Sequence, residues 1–179
     1  MSEKILLNSK EIDITITRLC WELIENHEDF SNTVIIGMQP RGVFLAEKIV
    51  TKLNELKKID TLHWGSLDST FFRDDFRHRT EHLLVHQTNI DFLIENKRVV
   101  FIDDVLYTGR SIRAALNAIG TFGRPKDIEL LVLINRRFSR QLPISPNYVG
   151  KEVDAISTEK VDVEWSLQGK ADKVSLINN

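Results

Sequence analysis

Val99-Val100-Phe101-Ile102-Asp103-Asp104-Val105-Leu106-Tyr107-Thr108-Gly109-Arg110-Ser111 is the stretch whose reading decides the fold. Its first four residues form a continuous apolar run, the pattern of a strand buried on both faces of a parallel sheet. Two adjacent carboxylates end the run. A short loop follows and closes in Thr-Gly-Arg-Ser at the start of a helix over 111–119, where Ile112, Ala115, Leu116 and Ile119 recur at helical spacing and are expected to face inward. The first turn of a helix has unpaired N–H groups and a positive dipole end, so it attracts an anion. Gly109 lets the backbone approach that anion, Thr108 and Ser111 add hydroxyls, and Arg110 adds charge. Asp103 and Asp104 can accept hydrogen bonds from sugar hydroxyls or hold Mg²⁺, directly or through its waters. A sugar phosphate satisfies both halves at once. The plainer alternative is a capped helix after a core strand, and it does not require all these parts together.

The rest of the chain repeats the strand–loop–helix unit. A first helix is expected over about 8–27, capped by Asn8 or Ser9, with Ile12, Ile16, Leu19 and Leu23 on one face. A short buried strand over 33–36 stops at Gly37, and a helix over 42–56 follows, with Ala46, Ile49, Leu53 and Leu56 inward. Residues 62–72 read as extended, 73–96 as mostly loop, and 128–134 as a further apolar strand; Val161, Val163 and Trp165 alternate as a later strand with one face covered. This order predicts an α/β fold: a mostly parallel twisted sheet with helices on both faces. In such sheets ligands bind at the carboxyl ends of the strands. Two loops leave those ends with unusual chemistry, 37–42 and 103–111. Arg41, between Pro40 and Gly42, is suited to a phosphate.

Length and composition agree. The 179 residues suit one domain, 1–179, and 42% apolar with 28% charged residues is ordinary for a soluble globular chain. A net charge of −2 gives no global pull toward nucleic acid or membrane, so a nucleic-acid site has to be a local patch. The single Cys20 excludes an internal disulfide framework and fits a reducing compartment; with no membrane span and no signal peptide in the pattern, a cytoplasmic protein is expected. No GxxxxGK[ST] loop is present, because Gly150-Lys151 leads to Glu152 and Gly169-Lys170 to Ala171; no GxGxxG occurs either. His78, His82 and His86 recur every four residues, a spacing that can bind zinc on a helix, and a solvated face is the expected outcome.

Residues 99–111 resemble the phosphoribosyl-pyrophosphate (PRPP) motif of type I phosphoribosyltransferases. Asp-Asp-Val-Leu-Tyr-Thr-Gly-Arg-Ser followed by Arg113-Ala114-Ala115 is similar, more narrowly, to the PyrR family of pyrimidine-operon regulators that are also uracil phosphoribosyltransferases. Thr17-Arg18 with Glu22, Arg41-Gly42-Val43-Phe44-Leu45-Ala46, Phe72-Arg73-Asp74-Asp75, Gly123-Arg124-Pro125, Leu142-Pro143-Ile144 and Tyr148-Val149-Gly150-Lys151 carry the resemblance over nearly the whole chain.

The resemblance implies transfer of a phosphoribosyl group from PRPP to uracil, giving UMP and pyrophosphate, with Mg²⁺. It implies that Asp103 and Asp104 bind the ribose hydroxyls and the metal. Val105, Leu106, Tyr107, Thr108, Gly109, Arg110 and Ser111 would form the PRPP loop, with the 5′-phosphate on 108–111. Pro40, Arg41 and Gly42 would hold the pyrophosphate. Arg73, where the family has its closing loop, would contact substrate phosphate. Gln39 departs from the family, where a basic residue is frequent, and leaves more of the pyrophosphate to Arg41 and Mg²⁺.

In the family a small hood, here about 135–150, covers the base and resembles Asp-Arg-Gly-His-Arg-Glu-Leu-Pro. This chain reads Asn135-Arg136-Arg137-Phe138-Ser139-Arg140-Gln141-Leu142-Pro143, one residue longer and without the His and both acids. Arg136, Arg137 and Phe138 are the candidate base contacts, with Phe138 either stacking on the base or, the favoured reading, in the core. The resemblance also implies a homodimer or higher oligomer with a basic face for pyrimidine-operon mRNA, to which Thr17, Arg18, Arg137, Arg140 and Lys151 would contribute. Trp21 stands where the family usually has His. Two rivals remain open: a non-catalytic RNA-binding regulator that senses nucleotide in the pocket, and a phosphoribosyltransferase for another base.

Overall fold

A computed structural model describes residues 3–57, 59, 62–74, 86–156, 158–166 and 171–178. The chain runs β1 (Glu3–Leu7), α1 (Ser9–His27), β2 (Thr33–Met38), α2 (Gly42–Lys57), β3 (His63–Leu67), a single 3-10 turn (Thr70–Phe72), β4 (Arg98–Leu106), α3 (Arg110–Ile119), β5 (Asp127–Arg137), β6 (Tyr148–Asp154), β7 (Glu159–Glu164) and β8 (Lys173–Asn178). Five strands form a parallel sheet in the order β3-β2-β4-β5-β6. The expected α/β architecture is the observed one.

Apolar periodicity explains the layers. Val100 and Ile102 of β4 and Leu131 and Leu133 of β5 face a core built with Ile12, Ile16, Leu19 and Leu23 of α1 and Leu45, Ile49 and Leu53 of α2. Val99 and Phe101 face the other way, onto Ile112, Ala115, Ala118 and Ile119 of α3. Leu116, expected inward, is 41% exposed, because the sheet-facing stripe of this short helix runs through Ile112, Ala115, Ala118 and Ile119. Asn8 is the cap of α1: its side chain accepts from Glu11 N–H at 3.0 Å while Glu11 accepts from Asn8 N–H at 2.8 Å. Cys20 is buried under α2, and burial pushes its thiol up to about 12, so it is a packing residue.

Two features differ from the expectation. Strand β4 does not stop at Ile102; Asp103 pairs with Val132 and Leu106 with Asn135, because β5 runs alongside it as far as Arg137. The acid pair is therefore part of the ladder. The chain also builds a second, antiparallel sheet, β1-β8-β7, from residues near both ends. Val161 and Val163 of its strand β7 turn into the core as their alternation implied, while β1 and β8 were not foreseen. The expected hood, 135–150, divides into the end of β5, the connecting loop 138–147 and the start of β6, which joins the parallel sheet. No described helix is long and apolar enough to cross a membrane.

Candidate active site

At the carboxyl end of β4 the pleat sends Asp103 to the α3 side, with Val99 and Phe101, and Asp104 to the opposite side. Asp104 is 6% exposed, and its Oδ2 is buried without a hydrogen-bond partner among the described residues. Asp103 Oδ1 accepts from the Asp104 N–H at 2.9 Å. Burial pushes both carboxyl groups above the ordinary carboxylate range, Asp103 the further because the Asp104 charge adds to it; the Arg41 guanidinium pulls both back. An orphaned, buried carboxylate oxygen is a demand for a donor or a cation.

The turn after β4 supplies the complementary charge. Gly109 caps α3 at φ 90°, a left-handed conformation that disfavours any Cβ, and it offers no capping side chain. Among the described residues the first-turn N–H groups of α3 therefore have no partner, apart from a 3.4 Å approach of Arg110 N to Thr108 Oγ1. Arg73 reaches the same spot, donating from Nη1 to Ser111 Oγ at 3.0 Å. A cleft of about 460 Å³ lies between Arg73, Asp103, Thr108, Arg110 and Ser111, floored by Tyr107. Arg110 is turned toward the rim, with Nε on Gln141 Oε1 at 2.7 Å and Nη1 on Asp74, a carboxylate shared with Arg113 at 3.2 Å. Gln141 belongs to this cleft's wall, and Asp74 reaches it only through Arg110 and Arg113; the sequence reading gave neither a role.

The loop between β2 and α2 closes over the opposite side. Its Gln39–Pro40 peptide is cis, and Gln39 N–H donates to Leu67 O at 2.9 Å. Gly42 is packed so tightly on β4 that a Cβ would lie 2.3 Å from Ile102 O and 2.9 Å from Asp103 Cα. Absence of a side chain is what lets this loop sit beside the acid pair. Arg41 Nη1 is 3.6 Å from Asp162 Oδ1 of β7. Burial raises the Asp162 carboxyl, but Lys160 and Arg41 outweigh it and hold it below its ordinary value. The antiparallel sheet thus steadies the loop's cation, a contribution that sequence reading missed because β7 lies far along the chain.

A second cleft, of about 520 Å³, adjoins the first across Tyr107 and Gln141 and is walled by Phe138, Arg140 and Ile156. Three expectations are corrected here. Phe138 is not core: it sits at φ 66° in the turn leaving β5 and is 82% exposed at the cleft's rim. Arg136 is not an open donor to a base. It is 5% exposed, donates from Nη2 to Ile156 O at 3.3 Å and Glu159 O at 3.0 Å, and stacks its guanidinium 3.9 Å from the Tyr107 ring centre. Arg137 points outward, with Nε and Nη2 on the Asp154 carboxylate at 2.5 and 2.7 Å.

The candidate RNA residues divide. Thr17, Arg18 and Lys151 gather where α1 meets β6 and β1: Arg18 Nη2 donates to Val149 O at 2.9 Å and Gly150 O at 2.7 Å, and Lys151 Nζ donates to Leu6 O at 2.9 Å. Thr17 Oγ1 is spent on Asp13 O at 2.8 Å, and Trp21 is 53% exposed on the same helix. Arg140 is elsewhere, a correction: it ties the hood loop to β4 and β5 through Tyr107 O and Asn135 Oδ1. Of the three candidate zinc ligands, His78 and His82 lie outside the described residues, and among the described residues no cluster of three metal-ligating side chains exists.

Comparison with known proteins agrees with this geometry. The phosphoribosyl transferase domain family matches residues 2–168. A protein of Elusimicrobium minutum named bifunctional protein PyrR is 37% identical over 175 residues, 98% of this chain and 97% of its own. Another of that name, from Deinococcus radiodurans, is 39% identical over 173 residues, 97% of this chain and 93% of its own. Among solved structures, a hypoxanthine phosphoribosyltransferase of Trypanosoma cruzi superposes with a TM-score of 0.71 at 14% identity over 98% of this chain and 96% of its own. One from Staphylococcus aureus gives 0.65 at 20% identity over 84% and 78%. These two share the fold. The family match and the full-length similarity to PyrR proteins reach further: the chain belongs to the phosphoribosyltransferases and, among them, to the PyrR family.

Proposed function

We propose that the protein moves the phosphoribosyl group of PRPP onto uracil, giving UMP and pyrophosphate, and that it also regulates pyrimidine genes by binding their mRNA. The observation that carries the catalytic half is the join of β4 to α3. It sets a pair of carboxylates, Asp104 buried and Asp103 half-buried on the cleft, next to a helix N-terminus at which Arg73 already stands. A molecule with a phosphate at one end of a ribose and hydroxyls along it matches that order of groups.

In transfer, the bond from the anomeric carbon to pyrophosphate oxygen breaks as the bond to the base nitrogen forms. Positive charge grows on the sugar ring and negative charge on the leaving group. Asp103 and Asp104 would orient the ribose hydroxyls and face the growing positive charge. The N–H groups of 109–111, with Thr108, Ser111 and Arg73, would hold the 5′-phosphate. Arg41, braced by Asp162, would take pyrophosphate oxygens. The hard oxygens of the acid pair, one of them orphaned, also fit a divalent cation. Bound Mg²⁺ would supply charge neutralisation at the pyrophosphate, its remaining ligands coming from substrate and water. The second cleft, across Tyr107, is the place for the base, with Phe138 at its rim in place of the acids and His of the family hood.

The test is a panel of radiolabelled bases with PRPP and Mg²⁺. Uracil is expected to give UMP at least tenfold faster than any purine. Transfer to a purine alone would overturn the base assignment, and no transfer at all would leave a nucleotide-sensing regulator.

A further inference from the structure

Tyr107 is the one residue that belongs to both the phosphate loop and the wall of the base cleft, and it is held from two sides. Its carbonyl accepts from Arg140, and its ring lies against the Arg136 guanidinium at 3.9 Å. Arg136 itself cannot swing away. It is almost fully buried at the end of β5, anchored by the carbonyls of Ile156 and Glu159, and its Nε has no partner among the described residues. A guanidinium with a buried, unsatisfied N–H is held there against its solvation preference. Stacking on the face of a tyrosine compensates part of that, since the ring's negative face attracts the cation most strongly where water is excluded. Tyr107 is 41% exposed and lines both clefts.

Resting on the uracil reading above, we propose that Arg136 is a positioning residue for the base: it acts through Tyr107, fixing that ring as the platform against which the base lies beside the anomeric carbon. Arg136 comes from β5 and its anchoring carbonyls from Ile156 and from Glu159 at the start of β7, so the platform's orientation is set by the scaffold and not by the mobile end of a side chain. Removing the guanidinium frees the ring to rotate, which loosens the base while the phosphate-binding N–H groups of α3 stay where they are.

The experiment compares UMP with ribose 5-phosphate, which shares every group of UMP except the base, by isothermal titration on the full chain. Arg136→Met is expected to weaken UMP roughly tenfold and to leave ribose 5-phosphate within about twofold. Tyr107→Leu is expected to weaken UMP by a similar factor, and the double variant is expected to be no worse than either single one, the non-additivity of two residues acting as a unit. Tyr107→Phe, which keeps the ring, should bind UMP as the parent does. Equal loss of both ligands in Arg136→Met, or additive losses in the double variant, would overturn the proposal. If Arg136→Met does not fold, the Tyr107→Leu and Tyr107→Phe pair decides: equal UMP affinity in the two means the ring is no platform. A parent protein that binds UMP no better than ribose 5-phosphate removes the uracil reading itself, a result distinct from these.

Discussion

The Nε2 of His27 lies 3.1 Å from Glu129 Oε2, at the end of the sheet opposite the candidate active site. Its Nδ1 is 3.0 Å from Thr33 Oγ1, and Tyr148 donates to the same carboxylate oxygen at 2.7 Å. Arg98 closes the network on Glu129 Oε1 at 3.1 Å. A neutral ring carrying its proton on Nε2 satisfies these partners. Burial lowers the His27 pKa, with the neighbouring Arg98 acting in the same direction and Glu129 against it.

Stability should therefore depend on pH below neutrality. The unfolded chain takes up a proton on this imidazole near pH 6.5 while the folded one resists, so the unfolded state binds more protons there. Stability is full above about pH 6.5 and is lost as pH falls from there toward the lowered folded value. Thermal melts from pH 8 to 5.5 should show it. His27→Gln should melt lower at pH 7.5, by about 1–3 kcal/mol, and show a shallower decline between pH 6.5 and 5.5. An unchanged decline would place the titrating group elsewhere.

Asp104→Asn should separate stability from activity. The amide removes a buried charge, one of whose oxygens has no hydrogen-bond partner among the described residues, so the melting temperature should hold or rise, within about 1 kcal/mol. Transfer should drop roughly 100- to 1,000-fold, the size expected for loss of one preorganised electrostatic group. Near-parental turnover would remove the ribose-carboxylate assignment.

Gly42→Ala tests the seating of the pyrophosphate loop. The added methyl group meets backbone, Ile102 O and Asp103 Cα, and neither can yield without moving β4 or α2. A loss of about 1–3 kcal/mol in urea unfolding is expected, with weakened PRPP binding in titration. A variant that folds and binds PRPP like the parent would show that the loop has slack.

Magnesium removal is predicted to stop turnover. Gln39 brings no charge to the loop, and Arg41 is shared with Asp162. Initial rates in excess EDTA should fall to background and return on adding Mg²⁺; full activity in EDTA would mean that protein cations suffice.

RNA binding is predicted to be salt-steep and separable from catalysis. Each phosphate engaged steepens the fall of log affinity with log salt by roughly 0.7–0.9. Arg18→Gln with Arg137→Gln should weaken binding to a pyrimidine-operon leader hairpin and flatten that slope, with uracil transfer retained. Both arginines now face carboxylates, Glu22 and Asp154, which RNA phosphates would have to displace. Filter binding that does not distinguish the leader from a scrambled hairpin would remove the regulatory half.

The parallel sheet, its helices and the phosphate turn were legible because each is local: an apolar run, a 3.6-residue stripe, a glycine before a helix. The roles of Arg136 and Phe138 were not. Both sit at the end of β5, where one residue is drawn inward by the carbonyls of Ile156 and Glu159 and the next but one is thrown outward by a left-handed turn. The Arg136 partners are distant in sequence and the left-handed φ of Phe138 is not a feature of its residue type, so side-chain type alone suggested the reverse. Asp162 was unreadable for the same reason: nothing in Val161-Asp162-Val163 indicates that the face opposite the two valines meets Arg41. Strand β4 was read four residues too short because carboxylates ordinarily end a buried strand, and here the ladder to β5 carries them onward.

The antiparallel sheet has a consequence for how the molecule is made. Glu3 pairs with Ile177, so β1 waits on the ribosome for nearly the entire sequence before its edge is covered. Contacts that span so much chain close late and slowly. Asp162 lies in the strand that this closure completes, beside Ser175. A nascent chain can thus finish its parallel sheet and its phosphate turn first, and only the seating of β8 between β1 and β7 braces Arg41. The order of synthesis would make competence to grip pyrophosphate the last property the protein acquires.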